Sequence, residues 1–250
     1  MTARATEIET APVHHLAETG STNEDALAAG RGGTTGPLWI RAERQLSGRG
    51  RQGRNWDSPV GNLYCSLLIP VAADPARLPQ LSQVAAVALA TALAGLLGPE
   101  ADLRIKWPND LLLNGAKVAG ILVEGTTIPT GHRLCVIGCG VNCGSYPADL
   151  PYRATCLAEA AGRAIQPEGL FALLRPAMAE AIEAWDDGRG YATIRQRWLV
   201  RALPLETPLV VRGPRESVSG RFQGIDEQGR LLLLGSHGPL TVEAGEVNLN

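Results

Sequence analysis

The stretch LRIKWPNDLLLNGAKVAGILVE, residues 103–124, contains two apolar runs that are separated by Asn114-Gly115. An Asn-Gly pair between two apolar runs is the strongest short-range signal of a β-hairpin, because both residues tolerate a left-handed backbone. We therefore predict that Asp110–Leu113 pairs with Lys117–Glu124.

Three ionisable residues, Lys106, Asp110 and Lys117, lie at the ends of these apolar strands. A charge at the end of a strand usually faces solvent. A lysine that leads a core strand next to an anion-binding loop is instead a candidate ligand for a carboxylate and a phosphate.

The stretch RQLSGRGRQGRNW, residues 44–56, is the candidate for this anion-binding loop. It carries four arginines and three glycines in a chain whose formal net charge is only −2. We call it the arginine loop. Glycine lets the backbone approach a ligand closely, and each guanidinium offers a rigid fork of donors to a carboxylate or phosphate. We predict an anion site in a loop that is mobile when empty and becomes ordered over its ligand. Such stretches also occur as solvated or RNA-binding segments.

Short apolar runs around this loop predict strands at Val13–Glu18, Leu38–Glu43 and Asn62–Ile69. Between the first two strands, Ser21 or Thr22 can cap a helix that ends at Gly30, and this cap would hold hydroxyls and free N–H groups for a polar ligand. The alternative is a plain helix cap.

A long Ala- and Leu-rich helix is predicted between Pro79 and Gly98, buried in the core rather than crossing a membrane. A strand at Arg133–Gly138 leads into alternate glycines at Gly138–Asn142, which indicate close approach of a ligand or another backbone. Three further helices are predicted: one at 155–162, one that starts at Leu170 and bends or restarts at Pro176, and one at 191–198. Short strands at 209–212, 218–222, 231–234 and 240–242 follow and are predicted to form a small β-barrel.

The composition, with 45% hydrophobic residues in 250, predicts a soluble globular protein. The sequence pI near 6.1 argues against a nucleic-acid-binding protein. The five cysteines include no Cys-x-x-Cys pair. Cys135, Cys139 and Cys143 recur every four residues, but a predicted buried strand makes Cys135 and Cys139 core residues, which argues against a metal site. Residues 1–11 are polar and predict no secretory signal, so reduced thiols in the cytoplasm are expected.

The motifs taken together resemble those of the biotin protein ligases, and their order and spacing match from about Thr19 to Asn142. The matching motifs are Ser21-Thr22-Asn23, Gln45 with Gly48–Trp56, Lys106–Asp110, Lys117–Glu124 and Gly138–Asn142. The resemblance implies an α+β or α/β catalytic domain on a mixed sheet, at residues 1–202, and an SH3-like C-terminal barrel at residues 203–250.

The resemblance also implies an enzyme that joins biotin and MgATP to give biotinoyl-5′-AMP and pyrophosphate, and then transfers biotin to a lysine of a carrier protein. It assigns catalytic roles to Lys117, Arg49 and Arg51, with no metal ligand from the protein. Asp110 is our catalytic candidate to orient the amine of the acceptor lysine and take its proton, and the alternative is a turn or salt-bridge residue. The implied biotin-binding residues are Ser21, Thr22, Asn23, Gln45, Gly48, Arg49, Arg51, Lys117, Gly120 and Gly138. The implied ATP- or adenylate-binding residues are Arg51, Trp56, Asn109, Lys117 and Asn142.

The chemistry of these residues agrees with that role, because a carboxylate and a triphosphate repel each other until fixed cations cancel the repulsion. About a dozen residues precede the first strand, too few for the winged helix-turn-helix that many relatives carry, so no DNA partner is expected. No membrane partner is expected either, because the long apolar helix is predicted to lie in the core. The resemblance leaves a homodimer open. Two rival interpretations are a lipoate- or octanoate-protein ligase, and a noncatalytic biotin or nucleotide sensor.

Overall fold

A mixed sheet of seven strands forms the larger part of the computed structural model, which describes residues 5–98, 100–128, 131–213 and 216–249. The strand order is β1-β2-β3-β7-β6-β5-β4, with β1 parallel to β2 and all other neighbours antiparallel. The strands are β1 (Val13–Thr19), β2 (Leu38–Gln45), β3 (Leu63–Pro70), β4 (Leu103–Lys106), β5 (Asp110–Leu113), β6 (Ala116–Thr127) and β7 (Arg133–Val141). Residues 1–4, part of the segment on which the expected absence of a secretory signal rests, lie outside the described residues.

Helices cover both faces of this sheet. The helices are α1 (Ala5–Glu9), α2 (Thr22–Arg31), α3 (Gln80–Leu97), α4 (Leu157–Ala161), α5 (Pro167–Trp185) and α6 (Tyr191–Val200). Side chains alternate along a strand, so in β3 Leu67 joins the large core under α3 and α5, whereas Leu68 joins a smaller cluster under α2. The α2 face of the sheet is therefore separate from the main core.

Helix α3 begins just after Pro79 and ends just before Gly98, as predicted. The stretch Pro75–Leu97 is long and apolar enough to cross a membrane by length and composition alone, but 67% of the 18-residue apolar segment within it is buried inside the molecule. This burial fits the core helix of a soluble protein.

The predicted hairpin is confirmed. Asp110–Leu113 pairs with β6, and the turn residues Asn114 and Gly115 have φ values of 52° and 75°. Positive φ at both positions is the geometry for which an Asn-Gly pair is suited.

A second, antiparallel sheet of five strands follows, in the order β11-β10-β9-β8-β12. Its strands are β8 (Pro208–Arg212), β9 (Ser217–Ile225), β10 (Leu231–Gly235), β11 (Gly238–Val242) and β12 (Glu246–Leu249). The two sheets share one hydrophobic core, in which Phe222 meets the ring of Trp198 edge-on at 6.4 Å. The mixed sheet followed by a small SH3-like β-module confirms the predicted fold class; the sequence analysis missed β12, a four-residue strand with two polar residues.

Two local expectations need correction in part. Helix α5 starts at Pro167 and continues through Pro176 without a restart, because buried side chains on both sides of the proline, such as Leu174 and Met178, hold it in place. Ser21 occupies the N-cap position of α2 but makes no capping hydrogen bond.

Candidate active site

A cavity opens on the α2 face of the large sheet, beside the N-terminus of α2. Several strand residues on this face are glycines. Gly138 lies between Ser66 and Leu122 across three strands, and Gly140 lies between Tyr64 and Gly120. Directly paired residues share a face of the sheet. The glycines therefore add no side chain to this face, and the side chains of Asn23 and Trp56 pack directly on Gly138 and Gly140.

Two lysines and a carboxylate form the centre of the cavity. One oxygen of Asp110, Oδ1, lies 2.7 Å from Nζ of Lys117, and the other, Oδ2, lies 2.9 Å from Nζ of Lys106. Burial raises the pKa of Asp110, but the charges and hydrogen bonds of Lys117 and Lys106 outweigh this effect and leave the pKa below its ordinary value. Asp110 is thus a carboxylate that holds two ammonium groups beside each other.

A register shift in the hairpin brings Lys117 to this face. Leu112 pairs with Lys117 but Leu111 pairs with Ala119, so Val118 is an extra residue in β6. Val118 and Ala119 both enter the core as consecutive residues. The shift reverses the alternation, and Lys117 therefore lies on the same side as Gly120, as often occurs with bulges beside active sites.

Arg49, at the tip of the arginine loop, is held by two carboxylates. Its Nη1 lies 2.7 Å from Oε1 of Glu24, and its Nη2 lies 2.7 Å from Oε2 of Glu124. Its Nε is buried and has no hydrogen-bond partner among the described residues.

Arg51 and Arg54 connect the arginine loop to the C-terminal sheet. Arg51 donates to the carbonyl of Gly245 at 3.2 Å, and Arg54 forms an ion pair with Glu246. Burial lowers the pKa of Arg51, whereas the charge of Asp110 acts in the opposite direction. Lys106 also donates to the carbonyl of Val247 at 3.0 Å, so β12 forms one wall of the cavity.

A hydrogen-bond network surrounds the inner end of the cavity. Oε1 of Gln45 accepts from the backbone N–H of Thr22 at 2.9 Å and from its hydroxyl at 3.1 Å. Nε2 of Gln45 donates to the hydroxyl of Ser58 at 3.0 Å. Ser66 contacts both Thr22, at 2.8 Å, and Asn23, at 2.6 Å. These contacts fix α2 to the two ends of the arginine loop.

Two aromatic rings flank the ammonium group of Lys117, with ring centroids 5.4 Å away for Trp56 and 5.3 Å away for Tyr152. The Trp56 indole packs on Gly140, where an added Cβ would lie 2.6 Å from Nε1. This Nε1 is buried without a hydrogen-bond partner in the described part of the chain.

Most residues that the sequence analysis selected line this one cavity. They are Ser21, Thr22, Asn23, Gln45, Arg49, Arg51, Trp56, Asn109, Asp110, Lys117, Gly120 and Gly138. Gly138 was expected to let the backbone approach a ligand, but the Asn23 side chain already packs against it.

Gly48 and Asn142 do not line the cavity in this structure. A Cβ on Gly48 would lie 2.3 Å from the carbonyl oxygen of Trp56, so this glycine is required for packing at the base of the loop. Asn142 donates from Nδ2 to the carbonyl of Thr155 at 3.1 Å and so holds the segment before α4.

The cavity has a volume of about 90 Å³, well below the roughly 300–1,000 Å³ of typical ligand sites. A second cavity of about 410 Å³ adjoins it and shares Arg51, Trp107 and Pro108. The indole of Trp56 lies over Gly140 and Gly120 and occupies part of the space, so a ligand of substantial size requires this end of the arginine loop to move.

The five cysteines are free thiols and buried. Burial raises the pKa of Cys135 to about 11. Within residues 5–98, 100–128, 131–213 and 216–249, no group of three or more His, Cys, Asp or Glu side chains is placed to hold a metal ion.

The sequence analysis missed Glu124, Tyr152 and Glu246 as parts of the site or its support. Glu124 shares the alternation of Gly120 and Leu122 along β6, a signal that was available in the sequence. Tyr152 lies in an irregular segment, and Glu246 belongs to a strand that was not predicted, so neither had a sequence signal.

Comparisons with known proteins identify the family of this chain. The model of the biotin/lipoate A/B protein ligase family matches residues 29–142, and the model of the biotin protein ligase C-terminal domain matches residues 210–249. The biotin–[acetyl-CoA-carboxylase] ligase of Paracoccus denitrificans is 41% identical over 237 residues, which cover 93% of this chain and 98% of the relative. The enzyme of that name from Mycobacterium tuberculosis is 32% identical, over 93% of this chain and 86% of the relative.

A solved structure of biotin protein ligase from Aquifex aeolicus in complex with biotin and ATP superposes with a TM-score of 0.81. The two sequences are 26% identical, and the match covers 96% of this chain and 98% of the other. The fold and the site thus define a protein of the biotin/lipoate ligase class. Within this class, the chain belongs to the biotin protein ligases, because the Paracoccus relative matches over nearly its whole length and the C-terminal module matches the domain model of these ligases.

Proposed function

We propose that this chain is an ATP-dependent biotin protein ligase, which converts biotin and ATP to biotinoyl-5′-AMP and pyrophosphate and then transfers biotin to a lysine of a carrier protein. The observation that carries the proposal is the convergence of Lys106, Lys117 and Arg51 around Asp110 in one cavity. The cavity lining carries five cations, Arg49, Arg51, Arg54, Lys106 and Lys117, against two carboxylates, Asp110 and Glu246, and this excess of positive charge suits two anionic reactants.

In the first half-reaction, a carboxylate oxygen of biotin attacks the α-phosphorus of ATP, and pyrophosphate leaves. The approach of two anions is opposed by charge repulsion, which fixed cations reduce without reorganisation during the reaction. We assign this task to Lys117 and Arg51, with Arg49 binding the carboxylate. Arg51 suits it because its guanidinium binds only neutral oxygens, those of Asn109 and Gly245, among the hydrogen bonds described.

For the biotin head group we assign Ser21, Thr22, Asn23 and Gln45. A ureido group carries donors and an acceptor in fixed directions, and a buried site rejects ligands that leave its polar groups unpaired. The contacts of Gln45 with Thr22 and Ser58 hold these groups in place before a ligand binds. On the adenylate side we assign Trp56, Asn109 and Asn142, and Gly48 stays a proposed biotin contact, although neither Gly48 nor Asn142 lines the cavity before a ligand binds.

In the second half-reaction, the amine of the acceptor lysine attacks the activated carbonyl carbon, and AMP leaves with the bonding electron pair. A lysine has an unperturbed pKa of about 10.4, so its neutral form is scarce at neutral pH. We assign Asp110 to orient this amine. Its lowered pKa makes it a weak proton acceptor, which favours orientation over proton removal.

Mg²⁺ enters as part of MgATP rather than on protein ligands. The two carboxylates that line the cavity, Asp110 and Glu246, are both engaged in ion pairs with cations. Mg²⁺ commonly keeps several waters and binds through substrate phosphates, which fits this arrangement.

We propose a boundary between residues 202 and 203, giving a catalytic domain at 1–202 and an SH3-like domain at 203–250. The strand orders support it, since no strand of the second sheet pairs with the first within the described residues. We further propose a biotin carboxyl carrier domain as the partner and the cytoplasm as the location, where reduced thiols such as the five found here persist.

The test is incubation of the purified chain with biotin, ATP, Mg²⁺ and a purified carrier domain, followed by mass spectrometry of the carrier. We expect biotin on one lysine of the carrier, and no product when ATP is omitted or when lipoate or octanoate replaces biotin. Modification by lipoate or octanoate alone would overturn the proposal in favour of the lipoate branch of the family. Binding of biotin without any transfer would favour a sensor.

A further inference from the structure

The carboxylate of Glu124 connects the arginine loop to the rest of the site through a single oxygen atom. Its Oε2 lies 2.7 Å from Nη2 of Arg49 and 2.8 Å from Nδ2 of Asn23. Asn23 belongs to the first turn of α2, and Glu124 belongs to β6. Three separate parts of the chain therefore meet at this carboxylate.

Asn23 cannot shift without disturbing the sheet beneath it. Its Oδ1 accepts a hydrogen bond of 2.6 Å from Ser66, and it packs so closely on Gly138 that a Cβ there would lie 2.1 Å away. Because Asn23 is fixed, the oxygen of Glu124 that it binds is fixed as well. Glu124 thus gives Arg49 a defined position relative to the sheet.

The two carboxylates that bind Arg49 differ in exposure. The Glu24 side chain is 50% exposed, whereas the Glu124 side chain is 25% exposed and has Asn23 as a second partner. Exposed ion pairs contribute little and exchange readily with water. An incoming anion can therefore replace Glu24 more easily than Glu124.

We propose that Glu124 is a positioning residue, which holds Arg49 in place while the ligand's carboxylate displaces Glu24 from the same guanidinium. Arg49 keeps a buried, unpartnered Nε–H as a further donor among the described residues. In this arrangement Glu24 competes with the ligand, and Glu124 supports its binding. The inference rests on the proposed function only for the identity of the anion, biotin or its adenylate.

The arrangement predicts opposite effects for two matched substitutions. Glu124→Gln releases Arg49, so we expect the KM for biotin and the dissociation rate of the biotinoyl-adenylate to rise about tenfold, as loss of a charge-assisted hydrogen bond would produce. The kcat of the exchange reaction should change less than about threefold. Glu24→Gln removes a competing anion, so we expect the KM for biotin to stay the same or fall. Equal KM increases in both variants, or a wild-type KM in Glu124→Gln, would overturn the inference.

A second measurement needs no activity and separates this inference from the proposed function. Trypsin cleaves after arginine, so limited proteolysis of the ligand-free protein reports how firmly the arginine loop is held. We expect Glu124→Gln to be cleaved within the loop about tenfold faster than the wild type, with an unchanged Tm, and Glu24→Gln to be cleaved within about twofold of the wild-type rate. Equal cleavage of Glu124→Gln and wild type would refute the positioning role even if the wild type ligates biotin. Faster cleavage of Glu124→Gln than of the wild type, together with a wild type that has no ligase activity, would support the positioning role and refute the proposed function.

Discussion

Asp110 holds Lys117 with a contact of 2.7 Å between Oδ1 and Nζ, although the two residues are seven positions apart in the chain and separated by a hairpin turn. The hairpin brings them together, and the extra residue Val118 turns Lys117 toward the cavity. A local feature of strand pairing thereby places a partly buried ammonium group where two anions must meet.

Replacing this ammonium group tests its role directly. We expect Lys117→Ala to reduce kcat for adenylate formation by about 100- to 1,000-fold, as removal of one preorganised charge at a transition state does. Pyrophosphate release in single-turnover conditions measures the effect. Arg197→Ala, which removes a surface ion pair with Glu180, serves as the control, and equal rates in both variants would remove the catalytic assignment of Lys117.

Asp110→Asn is expected to act on stability and on the transfer step. Removing one partner of a buried ion pair leaves uncompensated charge, here on Lys106 and Lys117, and costs about 3 kcal/mol in the free energy of unfolding. Urea unfolding measures this cost. If Asp110 orients the acceptor amine, transfer from preformed adenylate should slow more than adenylate formation does; equal slowing of both steps would count against that role.

The same residue predicts a pH dependence of stability. The pKa of Asp110 is lowered in the folded protein from its ordinary value of 3.8, so its charge stabilises the fold above about pH 4. That contribution is lost as the pH falls through the still lower pKa of the folded state. Thermal unfolding between pH 2 and 6 should show a smaller acid-induced loss of Tm in Asp110→Asn than in the wild type, and identical profiles would contradict the assignment.

The loop arginines are expected to differ in their effect on the intermediate. Arg51→Ala should release biotinoyl-5′-AMP faster, because the free-energy barrier to dissociation falls by about 1.5–3 kcal/mol, the range for a hydrogen bond to a charged group. Arg44→Ala is a matched control from the same loop, because Arg44 pairs with the exposed Glu18 and does not line the cavity. Stopped-flow dissociation of the adenylate measures both, and equal rates for the two variants would exclude a clamp at Arg51.

Gly138→Ala tests the close packing under the site. The added methyl group would collide with Asn23, so we expect a loss of about 1–3 kcal/mol in unfolding free energy and weaker binding of biotin. Gly125→Ala, in the neighbouring strand, is the control because its Cβ would find only ordinary contacts, at 3.7 Å or more. Calorimetric titration with biotin should separate the two variants, and a normal affinity in Gly138→Ala would show that Asn23 can move freely.

Local sequence patterns predicted the elements that carry the site, because turn chemistry and apolar runs act over a few residues. The Asn114-Gly115 turn and the ends of α3 at Pro79 and Gly98 follow from such patterns. The shared cavity of Arg49, Arg51 and Lys117 was instead implied by the resemblance to the biotin protein ligases. The bulge at Val118 could not be predicted, since strand register depends on packing across the sheet.

Long-range partners were equally hidden. Glu124 meets Arg49 only after β6 has paired with β7 and the arginine loop has folded over them, and Glu246 reaches Arg54 from a strand near the other end of the chain. Gly48 and Asn142 show the reverse case, in which a motif residue supports the backbone of the site instead of lining it. Spacing in a sequence identifies which residues belong together, but not which of them face the ligand.

The central claim is that the cations around Asp110 gather a carboxylate and a triphosphate in one cavity and join them. Exchange of labelled pyrophosphate into ATP, measured on the purified chain with and without biotin, tests this claim most directly. We predict exchange that requires biotin, is not supported by lipoate, and disappears in Lys117→Ala. Exchange that proceeds equally without biotin, or that persists unchanged in Lys117→Ala, would contradict the account.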